Sequence, residues 1–544
     1  MKKNILLFCF LLPCLMSYAE KHATEVKPLD GERWYGAYAA KAFAGTPFKD
    51  ITFQPYLADE KRKDLRVDNR GNQAAPLLLS SKGRYVWSDE PFAFELKGGT
   101  LLLYSDHEQM EPIAAGKTLR EAYLAAMRKH FPASGKTPNP LMFKMPQYNT
   151  WIELGTEQNQ KDIIKYADDV IRNGFPTGVF MIDDKWSNHY GNFEFNPVAF
   201  PDPKGMVDYL HTKGFRVMLW LTPFVSPDSK EFKHLLRQKA LVLRADNRTP
   251  ALIKWWNGYS ACLDLTKPVA VDWLRTQLKS LQTRYGIDGF KFDAGDFDFY
   301  HKGSRVFPND DTNTTGQQQA EAFGKLGTEF DFNEFRAAWK NGNQPLAQRL
   351  QDKGYSWDEL KLLVPDMISA GLIGHPFTCP DLIGGGLIQT FENIDYGKFD
   401  QALLIRSAQV QALMPMMQFS VAPWRVLDST HLGIVRQAAL LHARMGDYIY
   451  SLAQQAAKDG EPIVRHMEYA FPGEGFEGIS NQYMLGDRYL VAPVVDKVAT
   501  GTAAIRTLKL PKGNWVDDLN KKHKGGQTIT IDVPLNRLVY FTRQ

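Results

Sequence analysis

Cysteine is scarce in this chain of 544 residues: there are four, and two of them fall within the first nineteen positions. That leaves Cys262 and Cys379, too few for a disulfide scaffold, and a chain of this length does not need one. An oxidising compartment would let the two pair if they lie close together. Charge of one sign is lacking as well. Lys and Arg number 65 against 61 Asp and Glu, a formal charge of +4. Nothing in that balance provides an electrostatic footprint for nucleic acid or an anionic membrane. No His/Cys cluster has zinc-like spacing, and no phosphate-cradling P-loop or Gly-x-Ser-x-Gly elbow occurs. No cofactor and no metal are expected. Internal repeats and low-complexity segments are absent too.

What is present begins with an address. Lys2-Lys3, an apolar run from Ile5 to Met16 and then Ser17-Tyr18-Ala19 read as a secretory signal over residues 1–19, cleaved near Ala19. It is too short and wrongly flanked for a membrane span. Cys14 follows Leu-Leu-Pro with no small residue beside it, which argues against a lipoprotein anchor. The expectation is a secreted or periplasmic protein. Losing Lys2 and Lys3 lowers the formal charge from +4 to +2. The remainder has the composition of a globular chain, and its length calls for two or three domains. Twelve Trp residues suit a sugar-stacking cleft, but they also suit large cores.

Residues 20–138 read as an N-terminal β-sandwich. Ala75–Trp87 and Phe92–Tyr104 are strand–turn–strand patterns, and a helix over Thr118–His130 precedes a Pro-rich linker. Over 139–455 the rhythm changes to alternating strands and helices. Strands are expected near 143–148, 177–183, 215–222, 287–293, 329–335, 374–379, 413–418 and 463–467. Helices are expected near 159–173, 204–213, 228–240, 269–285, 316–327, 356–371, 398–411 and 430–455. Eight such pairs predict a (β/α)8 TIM barrel. Residues 456–544 return to β patterns and predict a C-terminal β-sandwich.

The segment Gly286–Asp296 anchors the functional reading. A helical run ends at Gly286, a short apolar strand follows, and Asp293 and Asp296 sit at its C-terminal end. That end of a barrel strand faces the site; the plain alternative is a solvated acidic loop. Lys291 lies two residues before Asp293, so an extended strand puts both on one face. A lysine there needs a partner, and Asp183 or Asp184 at the neighbouring strand end can supply it. The fifth strand ends near Arg336, the loop after it carries Arg349 and Asp352, and the sixth ends at Asp381. Two carboxylates are what glycosidic bond cleavage requires, one attacking or activating water and one protonating the leaving oxygen.

These motifs occur in an order that resembles glycoside hydrolase family 31 over nearly all of the mature length. Asp183-Asp184 precedes Phe200-Pro-Asp-Pro-Lys-Gly-Met, and Trp256 precedes Asp264-Leu-Thr-Lys-Pro. Gly289-Phe-Lys-Phe-Asp293 is similar to the family's nucleophile strand. Arg336 stands sixteen positions before Asp352. Gly374-His-Pro-Phe-Thr-Cys-Pro-Asp381-Leu-Ile-Gly-Gly-Gly and Gln482–Val494 complete the set. The resemblance implies a retaining, exo-acting α-glycoside hydrolase with Asp293 as nucleophile and Asp352 as acid/base. Asp381 is the rival acid, more similar to a later Asp that supports the sugar pocket. Asp183, Asp184, Trp256, Lys291, Arg336, Asp381 and Trp151 are expected to bind the sugar, with Asp68 at the rim. Lys-Phe-Asp-Ala-Gly resembles the branch that contains α-galactosidases. Ser420 stands where α-glucosidases of the family carry a sugar-binding His. The implied partner is an oligosaccharide or glycan with an α-linked nonreducing-end sugar; the sequence does not set the oligomeric state. Three alternatives remain: an α-glucosidase or α-xylosidase, a catalytically dead glycan-binding protein, and a metal-dependent hydrolase using Asp183, Asp184 and Asp381.

Overall fold

The computed structural model describes residues 21–40, 53–58, 60–67, 72–300, 306–307, 311–392, 394–499 and 501–544. The expected signal segment and Asp68 lie outside the described residues. At the centre stands an eight-stranded parallel sheet. Its strands are β1 (Gln147–Asn149), β2 (Val179–Ile182), β3 (Arg216–Leu221), β4 (Gly289–Phe292), β5 (Phe332–Phe335), β6 (Gln348–Arg349), β7 (Thr378–Cys379) and β8 (Gln418–Phe419). They pair in chain order, and β8 pairs back onto β1. The β7–β8 seam is thin: Ile383 N–H donates to Gln418 O at 2.8 Å and Leu382 bridges Gln418, giving a nearly closed barrel.

Every residue of β2 and β4 is buried, as parallel strands covered on both faces must be. Gly289 meets a steric demand. A Cβ there would lie 2.0 Å from Phe332 O, so a side chain would push β4 off β5. The helices on the outside include α1 (Gln160–Arg172), α2 (Pro203–Thr212), α3 (Pro268–Tyr285), α4 (Gly316–Gly327), α5 (Trp357–Leu372), α6 (Gln401–Ala412) and α7 (Ser429–Asp459). In α3, Pro268 opens the first turn and Gly286 closes the helix in the left-handed region at φ 79°.

Four expectations need correction. The strand after β5 is the two-residue β6, which the sequence reading leaves in a loop. The strand expected sixth, near 374–379, is therefore β7, and the one expected seventh, near 413–418, is β8. The strand expected eighth, near 463–467, is not in the barrel: Val464–Arg465 pairs antiparallel with Tyr483–Leu485 in the C-terminal sheet. The helix expected near 228–240, observed as Lys230–Arg237, belongs to the long connection after β3. Between β5 and β6 no helix occurs; the chain instead sends Ala338–Trp339 out to pair with the N-terminal sheet at Gln73–Ala74. At the start, Pro140–Lys144 is a helical turn capped by Asn139, and the strand begins only at Gln147.

The flanking domains are sheet-rich. In the N-terminal one a four-stranded sheet and a five-stranded sheet enclose a core that includes Trp34, Leu78, Phe94 and Leu103. The helix Leu119–His130 starts with a capping box formed by Thr118 and Glu121. The C-terminal domain stacks a six-stranded sheet and the two-stranded antiparallel sheet Ala504–Leu510/Gln527–Val533 around Trp515 and Phe541. The connection after β3 carries one more hairpin, Leu252–Trp255 and Gly258–Cys262, whose tip is Trp256-Asn257. Cys262 and Cys379 are both buried and free. Among the described residues, no helix is long and apolar enough to cross a membrane.

Candidate active site

The C-terminal ends of the barrel strands surround a cavity of about 340 Å³. Trp151 follows β1, Asp183 and Asp184 follow β2, Trp220 lies on β3, and Lys291 and Asp293 come from β4. Arg336 follows β5, Arg349 lies on β6 and Asp352 follows it; the hairpin tip adds Trp256 and Asn257, and Gly386–Gln389 closes the remaining side. Among the described residues expected to react with or bind the sugar, the fold thus brings all but one to one cavity wall. The exception is Asp381, which is 1% exposed and lies behind Arg349.

Asp293 is held from two sides. Trp220 Nε1 donates to its Oδ2 at 2.7 Å, and Ala294 N–H donates to its Oδ1 at 2.8 Å. The second bond goes with a left-handed Ala294, φ 61°, which turns the chain at the strand end. Burial raises the proton affinity of Asp293, but Arg336, Lys291 and Arg349 outweigh it and the net direction is down. The carboxylate is therefore ionised and fixed, as a nucleophile must be.

Asp352 faces the cavity with its side chain 28% exposed. Arg349 Nη1 donates to its Oδ1 at 2.6 Å, and Arg336 Nη1 lies 3.3 Å from its Oδ2. Burial raises its proton affinity; Arg349 and Arg336 overcome that and pull it down to about 2. Arg336 also lies 3.8 Å from Asp293 Oδ1, so one guanidinium contacts both carboxylates. Its Nε pairs with buried Asp296 at 3.2 Å, and its face covers the Trp256 ring at 5.3 Å. The sequence reading offers Asp296 as a catalytic candidate; its observed contact is this ion pair.

Lys291 finds its partner in Asp183, with Nζ 2.6 Å from Oδ2 and both side chains 5% exposed or less. Asp184 takes Asn257 Nδ2 at 2.8 Å, Tyr190 OH at 3.1 Å and Lys185 N–H at 2.6 Å. Burial pushes it up to about 6. Trp151 Nε1 donates to Gly386 O at 3.0 Å and pins the closing loop. A Cβ on Gly386 would lie 2.4 Å from Asp352 Oδ1. The triple glycine thus lets the backbone approach the proton donor candidate. Ser420 does not reach the cavity; its Oγ accepts Ile152 N–H. The metal alternative is not built: Asp183 is paired with Lys291 and Asp381 with Arg349. Trp220 and Asn257 are site residues that the sequence reading misses.

Comparison with known proteins matches the model for the glycosyl hydrolases family 31 TIM-barrel domain over residues 141–452. The chain belongs to glycosyl hydrolase family 31. The family's C-terminal domain matches residues 460–544. This family 31 chain is 30% identical over 440 residues to the mouse myogenesis-regulating glycosidase, covering 79% of the chain and 60% of that protein. It is 24% identical over 450 residues to the 1,3-alpha-isomaltosidase of Kribbella flavida, covering 76% and 59%. The chain therefore spans about three-fifths of the length of these relatives. Its fold is similar to that of a Flavobacterium johnsoniae family 31 dextranase solved with glucose, with a TM-score of 0.81 at 20% identity, covering 96% of the chain and 66% of that one.

Proposed function

We propose that this chain is a retaining, exo-acting α-glycoside hydrolase that prefers α-galactosides. The observation that carries the reading is the pair Asp293 and Asp352, both contacted by the Arg336 guanidinium and both lining one cavity. In the first step an Asp293 oxygen bonds the anomeric carbon while the bond from that carbon to the leaving oxygen breaks. Asp352 gives the leaving oxygen its proton. In the second step Asp352 takes a proton from water, whose oxygen displaces Asp293 and restores the starting configuration. Arg349 and Arg336 favour the ionised form of Asp352, so a sugar hydroxyl that engages Arg336 should raise its proton affinity toward that of a donor.

The sugar preference rests on the Lys291–Asp183 pair and on Asp184 with its donors. They form a charged wall suited to bonding an axial hydroxyl, and such a wall leaves buried groups unpaired with the wrong epimer. The names of the relatives favour an α-glucosidase or α-xylosidase reading of the same site. Rates on a panel of p-nitrophenyl α-glycosides decide. The galactoside is expected to be fastest, and a faster glucoside or xyloside overturns the sugar while leaving the two carboxylates in place. Asp293→Asn should lose turnover on every substrate. Asp352→Asn should spare good leaving groups and respond to azide. Inverted product by NMR, or no effect of either variant, overturns the mechanism.

A further inference from the structure

Asp381 does not line the catalytic cavity, yet it is tied to Asp352 through one shared atom. Arg349 Nη1 lies 2.6 Å from Asp352 Oδ1 and 2.6 Å from Asp381 Oδ1. The other Asp381 oxygen accepts Lys353 N–H at 2.8 Å, which fixes the backbone directly after Asp352. Asp381 also holds a left-handed backbone, φ 87°. An L-residue adopts that conformation at a cost, and such strain collects where the surroundings impose a geometry. We propose that Asp381 is a positioning residue: by competing for Arg349, it sets how readily Asp352 takes up the proton it delivers to the leaving group. This rests on the hydrolase reading of Asp352 above.

The argument is electrostatic. An Arg349 charge shared by two carboxylates favours the ionised form of each less than it would favour one alone. The groups facing Asp352 come from every neighbouring strand end: Arg349 from β6, Arg336 after β5, Lys291 and Asp293 from β4, and Asp381 after β7 acting through Arg349. On its other side Arg349 meets Glu334 of β5 at 3.5 Å. Facing Asp381 are Arg349, Asp352, the Cys379 thiol and the peptide N–H groups of Leu382 and Lys353, the ammonium of Lys353 being itself paired with Asp366. Burial pushes Asp381 up to about 7 against the pull of Arg349. When Asp381 loses its charge, Arg349 acts on Asp352 undivided and holds it as a carboxylate. Proton donation then weakens. When Asp381 is ionised, part of the Arg349 charge is withdrawn and Asp352 gains proton affinity.

The test compares pH profiles of kcat/KM for a p-nitrophenyl α-glycoside and for a disaccharide of the same sugar, in the wild-type chain and in Asp381→Asn. The variant is expected to move the high-pH limb, where the donor proton is lost, down by about one pH unit. At neutral pH it should lose about tenfold or more on the disaccharide but little on the aryl glycoside, whose leaving group needs little protonation. KM should hold, and Asp381→Glu should restore the profile. Should Asp381→Asn not fold, Arg349→Gln removes the shared cation and is expected to move the same limb upward. Equal losses on both substrates with unmoved limbs overturn the proposal, as does a rise in KM alone or a limb displaced the other way. The parent reading fails separately: in that case Asp352→Asn shows no leaving-group dependence at all.

Discussion

Replacing Lys291 by Met removes one half of an ion pair while keeping most of the side-chain volume. The pair is 2.6 Å long and has side chains 5% and 4% exposed, so water cannot take over the role of the missing ammonium. Breaking a buried pair from one side costs about 3–5 kcal/mol, because the surviving charge keeps its desolvation penalty and loses its partner. In a domain the size of this barrel each kcal/mol moves the melting temperature by about 2 °C, so the transition should fall by about 6–10 °C. Calorimetry of the barrel transition is the assay, with kcat/KM measured in parallel. Adding Asp183→Asn removes the stranded charge and should return most of the stability, since replacing both partners of a buried pair is close to neutral. It should not return activity, because both of the proposed sugar contacts are gone. An unchanged melting temperature in the single variant, or a double variant no more stable than the single, would refute the reasoning.

Two further outcomes follow from the same geometry. Asp184, pushed up to about 6 by burial, is charged above that value and neutral below it. As an acceptor for sugar hydroxyls it should therefore weaken as pH falls, and the KM of an aryl glycoside should rise below about pH 6 while kcat changes less; a flat KM from about pH 5 to 7 argues against an Asp184 contact. Gly386→Ala sets a methyl 2.4 Å from Asp352 Oδ1 and should lower kcat at least about tenfold with little change in melting temperature; near-normal kcat would mean that the loop shifts without harm.

The barrel was legible wherever a strand is four or more buried residues long and bounded by turn chemistry. Strand β4 carries both signals, the helix stop at Gly286 and the apolar run to Phe292, and it delivered Lys291 and Asp293 to the correct face. Strand β6 carries neither. Two residues, Gln348 and Arg349, give no period, and the polar pair reads as loop, so a count from the sequence runs one short for the barrel strands that follow. The helix Lys230–Arg237 hid the error by supplying an eighth helix where a crossover is missing. Trp220 could have been found by the argument that found Lys291: the two are register partners on adjacent strands and share the inward face. Asn257 had no such signal. Its role depends on a hairpin folding back over β2, which no local pattern announces.

The arginines show why local reading stops short of the site. Among the described residues, seven carboxylates, Asp183, Asp184, Asp293, Asp296, Glu334, Asp352 and Asp381, gather in and behind the cavity around Lys291, Arg336 and Arg349, with Lys185 and Lys353 at the edge of the cluster. With fewer cations than anions, Arg336 and Arg349 must each serve several carboxylates, and a small displacement of either redistributes charge over the whole cluster. Their backbones are correspondingly tied down from outside the barrel. Asn72 Nδ2 donates to Arg336 O at 3.1 Å and to Arg349 O at 2.8 Å, and Gln73 Nε2 donates to the same two carbonyls. Both amides sit at the start of the strand on which Ala338–Trp339 pairs. The missing β5–β6 helix and the N-terminal sandwich are thus two parts of one device: the chain gives up a crossover helix to run a strand into the neighbouring sheet, and that sheet returns two side chains that fix the backbones of Arg336, which bridges Asp293 and Asp352, and of Arg349, which bridges Asp352 and Asp381.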